Sequence, residues 1–243
     1  MKLGFIGTGN MASAIMGGII SKGVIPADEI IGADLFAPGR ERVKEKFGIH
    51  VTADNNEVVE KADVVLLSVK PQFYADVISG IKDKIRPDQI VITIAPGKTL
   101  SWLAEQFGKD VKIVRCMPNT PAMVGEGMTA ACPNEHMTEE EIEYVKTLLS
   151  SFSLVEIVPE KLMDTVTAVS GSSPAYVFMF IEAMADAAVA DGMPRAQAYQ
   201  FAAQAVYGSA KMVLETGKHP AELKDMVCSP AGTTIEAVRV LEE

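Results

Sequence analysis

Positive charge is scarce in this chain. Its 22 Lys and Arg are outnumbered by 32 Asp and Glu, for a formal net charge of -10 over 243 residues. Nucleic acid and anionic membrane surfaces are gripped by stripes of Lys and Arg, so neither is expected as the main partner. A small anion held in a local pocket stays compatible with that balance. Cysteine is sparse too. Cys116, Cys132 and Cys228 stand far apart, with no CxxC spacing. An odd, scattered set excludes a disulfide framework and fits a reducing, cytoplasmic compartment. His50, His136 and His219 are equally isolated and no HExxH occurs, so no metal site is expected. Long charge-free runs are also missing. The most apolar helical stretch, AYVFMFIEAMADAAVADGM, is broken by Glu182, Asp186 and Asp191. A membrane span needs roughly 20 residues almost without charge, so this stretch is expected to be a buried helix of a soluble protein. The start, MKLGFIGTGN, runs straight into an apolar strand with no A-x-A site, and no signal peptide is expected.

What is present is a core. Hydrophobic residues make up 48% of the chain, enough for a large interior. Over the first two-thirds, strand and helix patterns alternate. KLGFIG is a short apolar run ending in glycine. NMASAIMGGIISKG reads as a helix, EIIGAD as a strand, and APGRERVKEKFG as an amphipathic helix with Gly48 just past its end. ADVVLLSVK, QIVITIA and VKIVRCM are continuous β-branched and leucine runs, the pattern of strands buried on both faces. Such strands separated by helices predict an α/β fold with a doubly wound parallel sheet. After about Pro159 strand patterns stop. Two alanine-rich helices follow, one opening with Pro174 behind Ser172 and Ser173, the other running from Pro194 to Gly217. Small residues let helix axes approach closely, which suits a helix bundle or a helix-swapped dimer in an all-helical C-terminal domain. The expected domains are residues 1–160, dinucleotide-binding, and 161–243, helical.

GFIGTGNMASAI carries Gly7-x-Gly9-x-x-Ala12 directly after a strand and at the start of a helix. At a first βα turn the first glycine makes the turn, the second lets a pyrophosphate approach the backbone, and the small third residue lets helix pack on strand. The anion then sits on the helix N-terminus, where unpaired N–H groups and the helix dipole favour it. This reads as a Rossmann-type domain. Asp34, ending the second strand, either accepts from a ribose hydroxyl or is a solvated strand-end acid. Arg40 and Arg42 either meet a 2′-phosphate or line a solvated helix face, so NADH against NADPH stays open. Three loops leave the carboxyl ends of strands: Ser68–Pro71, Ile94–Gly97 and Cys116–Pro121. Lys70 either contacts phosphate or reaches solvent. Asn119, between Pro118 and Pro121, either presents a fixed amide or simply forms a turn.

FIGTGNMA, SVKP, RCMPNTP, VSGSSPAY and HPAELKDMVCSPAGTTIEAV occur together and in this order. That set resembles pyrroline-5-carboxylate reductase over essentially the whole chain, and the last two motifs are the specific ones. The resemblance implies a Rossmann domain and a helical domain that dimerises, often into rings of dimers. It implies reduction of the cyclic imine L-1-pyrroline-5-carboxylate to L-proline with NAD(P)H, usually NADPH. It places Ile6, Gly7, Thr8, Gly9, Asn10, Met11, Asn55, Ser68, Val69, Lys70, Pro71 and Ala95 at the cofactor. It places Ser229, Ala231, Gly232, Thr233 and Thr234 at the substrate, the Thr234 hydroxyl near the ring nitrogen. Ser172 is expected to face the nicotinamide region or else to cap a helix, and Asn119 is counted with the substrate residues. Two departures stand out. The family loop usually reads Ser-Pro-Gly-Gly, whereas Ala231 replaces the first glycine here, which is strained if φ is positive. Family chains also usually continue for another helix.

Thr233-x-x-Glu236 has the spacing of a capping box, which predicts a helix from about Thr234. Free N–H groups at such a start hold an anion without a lysine, and the expected substrate is a carboxylate. A β-hydroxyacid dehydrogenase, the nearest rival, carries a lysine one turn after its glycine-rich interdomain motif. Here none lies between Lys161 and Lys211. A nucleotide-sensing protein without catalysis would retain GTGNMA but not the second loop.

Overall fold

A computed structural model describes residues 2–243. The chain divides into two compact units, one ending at Pro174 and the other Ala175–Glu243.

The first unit is built on one eight-stranded sheet. Its strands are β1 (Leu3–Ile6), β2 (Ile30–Ala33), β3 (His50–Thr52), β4 (Val64–Leu67), β5 (Ile90–Thr93), β6 (Lys112–Met117), β7 (Gly127–Pro133) and β8 (Ser153–Ile157), in spatial order β3-β2-β1-β4-β5-β6-β7-β8. From β3 to β6 every pairing is parallel. The helices are α1 (Asn10–Ser21), α2 (Ala37–Phe47), α3 (Asn55–Lys61), α4 (Tyr74–Ile81), α5 (Leu100–Phe107) and α6 (Glu139–Leu149), with a single turn α7 (Met163–Val166).

The continuous apolar runs have their expected cause. Alternate residues of each central strand enter different cores. Leu3, Phe5, Leu66 and Ile92 pack with Ile15, Met16 and Ile19 of α1 and with Leu148 and Leu149 of α6. Ile6, Val65, Leu67 and Val91 pack with Val58 of α3, Tyr74 and Ile78 of α4, and Leu103 of α5. A strand with period two is apolar at every position only when both faces are covered.

The sheet is not wholly parallel. β7 runs antiparallel to β6, with Arg115 opposite Cys132, and β8 then runs parallel to β7. Strands of this kind give weak sequence signals. β7 is rich in small residues, and β8 alternates, leaving Leu154 and Ile157 exposed.

The second unit holds most of α8 (Ser173–Ala190) and all of α9 (Arg195–Thr216), α10 (Pro220–Val227) and α11 (Thr233–Leu241). Its own core is small: Ala185, Ala198 and Ala202, with Ile181, Met184 and Val189 against them. An ion pair joins Arg195 to Asp186, and Gly217 closes α9 in the left-handed region at φ 64°. The expectation of a buried helix at Ala175–Met193 is corrected here. Within α8 only Ala185 is buried, while Tyr176, Phe178 and Met179 are each at least 60% exposed. Helices this short in number cannot cover one another on every side, so apolar faces stay bare. Ser173, not Pro174, opens α8, and the helical run Glu160–Ala190 is long and apolar enough by composition to cross a membrane.

Candidate active site

The first βα turn is held from three sides. Gly7 N–H donates to Ala33 O at 2.7 Å, and the Ser68 hydroxyl donates to Gly7 O at 2.7 Å. Gly7 has φ +96°, and a Cβ there would lie 2.9 Å from the backbone of Ser68. Glycine is therefore required both for its backbone angle and for the close approach of β4. Gly9 differs: a Cβ there would meet nothing within 4 Å. Open space lies beside the backbone at the position where a diphosphate is expected to approach. Ala12 is fully buried, as the third small position requires. Gly9 is the N-cap of α1 and supplies no side-chain acceptor, so the first N–H groups of the helix are left for a ligand.

Asp34 is already engaged by the protein. Its Oδ2 accepts from Thr8 N–H at 2.8 Å and from the Thr8 hydroxyl at 3.0 Å, and its Oδ1 accepts from Phe36 N–H at 3.0 Å. Arg40 donates to Asp34 O at 2.5 Å and Arg42 to Thr8 O at 2.8 Å. The carboxylate and both guanidiniums thus brace the turn. A carboxylate has about four acceptor positions, so one stays free for a hydroxyl. Asn55 opens α3 behind the Asp54 cap, half-buried, and its side chain has no partner among the described residues. Ser68 and Val69 leave β4, and Ala95, 3% exposed, leaves β5. Lys70 is exposed and has no carboxylate partner among the described residues, and Pro71 starts a short helical turn.

Asn119 is more committed than its proline-flanked setting foretold. Its Oδ1 accepts from Met128 N–H at 2.9 Å and its amide donates to Ser170 O at 3.1 Å. Ser170 lies in a π-turn, Thr167–Gly171, an arrangement often found at functional positions. Ser172 follows it, half-buried, with its N–H donating to Thr167 O at 2.8 Å. Ser172 thus ends the π-turn, at φ -93° and ψ -29°, directly before α8 begins.

In the second unit, Gly232 N–H closes a turn onto Ser229 O at 3.0 Å. Ala231 has φ 56°, the one non-glycine residue at positive φ among those described. A Cβ on Gly232 would meet Ser229 Oγ at 2.4 Å and Ser229 O at 3.1 Å, so a larger residue there would require the serine hydroxyl to rotate away. The capping-box expectation at Thr233 is corrected. Gly232, extended at φ -79° and ψ 168°, is the N-cap, and α11 starts one residue earlier, at Thr233. Thr233 is therefore already helical and its hydroxyl caps nothing; Glu236 pairs with Arg239 at 3.3 Å instead. The same motif does form at α6, where Thr138 and Glu141 cap each other. The result at α11 is a helix start whose N–H groups no side chain occupies. Thr234 is half-buried beside Ser229 and Ala231, both exposed.

The two helices that open behind a glycine, α1 and α11, lack a side-chain cap, as do α2, α4 and α9, whereas Asp54, Thr99 and Thr138 cap α3, α5 and α6. No group of three His, Cys, Asp or Glu able to hold a metal ion occurs among the described residues. Burial pushes the thiols of Cys116 and Cys132 above the usual range, which makes both poor nucleophiles.

Residues 160–243 match the family model described as pyrroline-5-carboxylate reductase dimerisation, and residues 2–97 match NADP oxidoreductase, coenzyme F420-dependent. Pyrroline-5-carboxylate reductase of Escherichia coli is 53% identical over all of this chain and 90% of its own length. The chain belongs to the pyrroline-5-carboxylate reductase family. Two solved members share its architecture. The Coxiella burnetii enzyme is 36% identical with a TM-score of 0.90, over 99% of this chain and 90% of that one. The Plasmodium falciparum enzyme, solved with NADP bound, is 33% identical with a TM-score of 0.90, over 100% of this chain and 89% of that one.

Sequence reasoning passed over two buried elements of this family member. Arg115, with a 5% exposed side chain, donates to Glu160 at 2.8 Å, and the same carboxylate oxygen accepts from Leu100 N–H at 2.7 Å. Tyr74 is a buried phenol in an otherwise apolar helix face. A lone polar residue in an apolar pattern was the available signal in both cases.

Proposed function

We propose that this chain reduces L-1-pyrroline-5-carboxylate to L-proline, the closing step of proline biosynthesis, with NADPH as the preferred donor and NADH as a weaker one. The observation that carries this reading is the pair of glycine-capped helix starts, α1 and α11, in a chain with 53% identity to a named reductase. NADPH supplies a hydride to the imine carbon, and a proton on the ring nitrogen completes the amine.

The chain's part is binding and orientation. Gly7, Gly9 and the N–H groups of Asn10 and Met11 hold the diphosphate, with Ile6 and Thr8 shaping the turn. The free acceptor position of Asp34 serves the ribose, and Asn55, Ser68, Val69, Lys70, Pro71 and Ala95 complete the cofactor side. The first N–H groups of α11, with Ser229, Ala231, Gly232 and Thr233, hold the substrate carboxylate. The Thr234 hydroxyl orients the ring nitrogen; because the cyclic iminium takes its proton from water, no strong acid is needed. Asn119 acts by holding the π-turn that carries Ser172. The functional boundary falls near residue 160, where the dimerisation match begins.

The bare apolar face of α8 and α9 is read as the homodimer surface, in rings of dimers, with the protein in the cytoplasm. The three free cysteines accord with that compartment. Following NADPH absorbance tests the reading: oxidation with pyrroline-5-carboxylate, and none with 3-hydroxyacids and NADP+ run in reverse, supports it. Turnover of the hydroxyacids, or of neither, would remove it.

A further inference from the structure

Two strands leave the sheet side by side toward the proposed cofactor loops. Leu67, the last residue of β4, pairs in register with Thr93, the last residue of β5. Directly beyond them come Ser68–Pro71 and Ile94–Gly97. One side chain ties these two ends together. Tyr74 Oη donates to Leu67 O at 2.6 Å and accepts from the Thr93 hydroxyl at 3.1 Å. Leu67, Tyr74 and Thr93 are all 0% exposed, so no water substitutes for either bond. Tyr74 is also the first residue of α4, immediately after the turn Pro71–Phe73. Its ring therefore fixes both ends of the Ser68–Phe73 loop: the strand it leaves and the helix it enters.

We infer that Tyr74 is a positioning residue for the cofactor, setting the two strand exits at one height through a phenol bridge. It touches no ligand itself. Burial raises its pKa to about 12, so the phenol stays protonated and remains a donor throughout the working range. The inference rests on the reading that Ser68–Pro71 and Ala95 face NADPH. Without the hydroxyl, Leu67 O and Thr93 Oγ1 lose a buried partner, and the loop ends shift to recover one.

The test uses the full chain and three variants, measured for thermal midpoint and for KM and kcat with NADPH and pyrroline-5-carboxylate. Tyr74→Phe should raise KM for NADPH about fivefold with kcat within about twofold, the scale of one lost buried hydrogen bond. Thr93→Val, which removes only the second bond, should move KM in the same direction by less and serves if Tyr74→Phe fails to fold. Gln89→Met is the control. Gln89, 0% exposed, donates to Val59 O and Ala62 O just before β5 begins, at the opposite end of that strand from Thr93. It should lower the midpoint and leave KM for NADPH unchanged. The inference is overturned if Tyr74→Phe and Thr93→Val keep the wild-type KM, or if Gln89→Met raises it equally. If the unmodified chain does not turn over, the functional reading fails separately, and NADPH dissociation constants from fluorescence decide the bridge by the same comparison.

Discussion

The two compact units solve the burial problem differently. The first covers both faces of its central strands with its own helices, and its largest core side chains, Tyr74, Phe5 and Phe152, are fully enclosed. The second buries three alanines and leaves Tyr176, Phe178, Met179, Phe201 and Leu214 each at least 60% exposed. An apolar face that large is stable in water only against another surface. The second unit is built to be completed, which accords with the dimerisation match over residues 160–243. The same contrast runs through the two proposed ligand loops. The turn at Gly7 is fixed by β2 and β4, whereas the loop at Gly232 is closed by one local turn onto Ser229.

The sharpest way to break this contrast is to charge the bare face. Phe178→Asp with Phe201→Asp should shift sedimentation to monomer, weakening association by roughly 10³-fold if the substituted aromatics of both protomers together contribute about 4 kcal/mol. The first unit should keep its NADPH affinity in that variant. A double variant that still sediments as the unmodified chain does would end the claim. Next in size is Gly7→Ala. A Cβ against Ser68 and a strained φ cost roughly 1–3 kcal/mol, so titration should show NADPH affinity reduced about 10- to 100-fold. Thr234→Ala should lower kcat/KM by roughly 10²-fold or less, as expected for one positioned hydroxyl. An unchanged kcat and KM would remove its role.

The smallest effect belongs to Ala231. At φ 56° an alanine is strained by roughly 1–2 kcal/mol relative to glycine, partly offset by glycine's greater freedom when unfolded. Ala231→Gly should raise the thermal midpoint by a few degrees at most. A fall in the midpoint would mean that neighbouring contacts favour the methyl group.

Much of the first unit was legible because its strands are buried on both faces, a condition that writes unbroken apolar runs such as VVLL and IVIT into the sequence. β7 and β8 carry no such run, since they extend the sheet beyond the part covered on both sides, and they were missed. The strain at Ala231 was legible through the family resemblance, whose loop usually has glycine at that position. The helix start at α11 was misplaced by one residue, because a capping box and a glycine N-cap compete at adjacent positions and spacing alone does not rank them. Burial of α8 was misjudged for a different reason: composition tells how apolar a helix is, not which chain covers it. The commitments of Asp34 and Asn119 were invisible, because a hydrogen bond between residues 26 or 51 apart leaves no local pattern.

Main-chain nitrogens at two separate helix starts are the proposed anion holders. The most direct measurement is a crystal structure of the chain with NADP+ and proline. The predicted result places the proline carboxylate within hydrogen-bond distance of the N–H groups of Ala231, Thr233 and Thr234, and the diphosphate on those of Gly9 to Met11. A carboxylate held by lysine or arginine side chains away from Gly232 would contradict it.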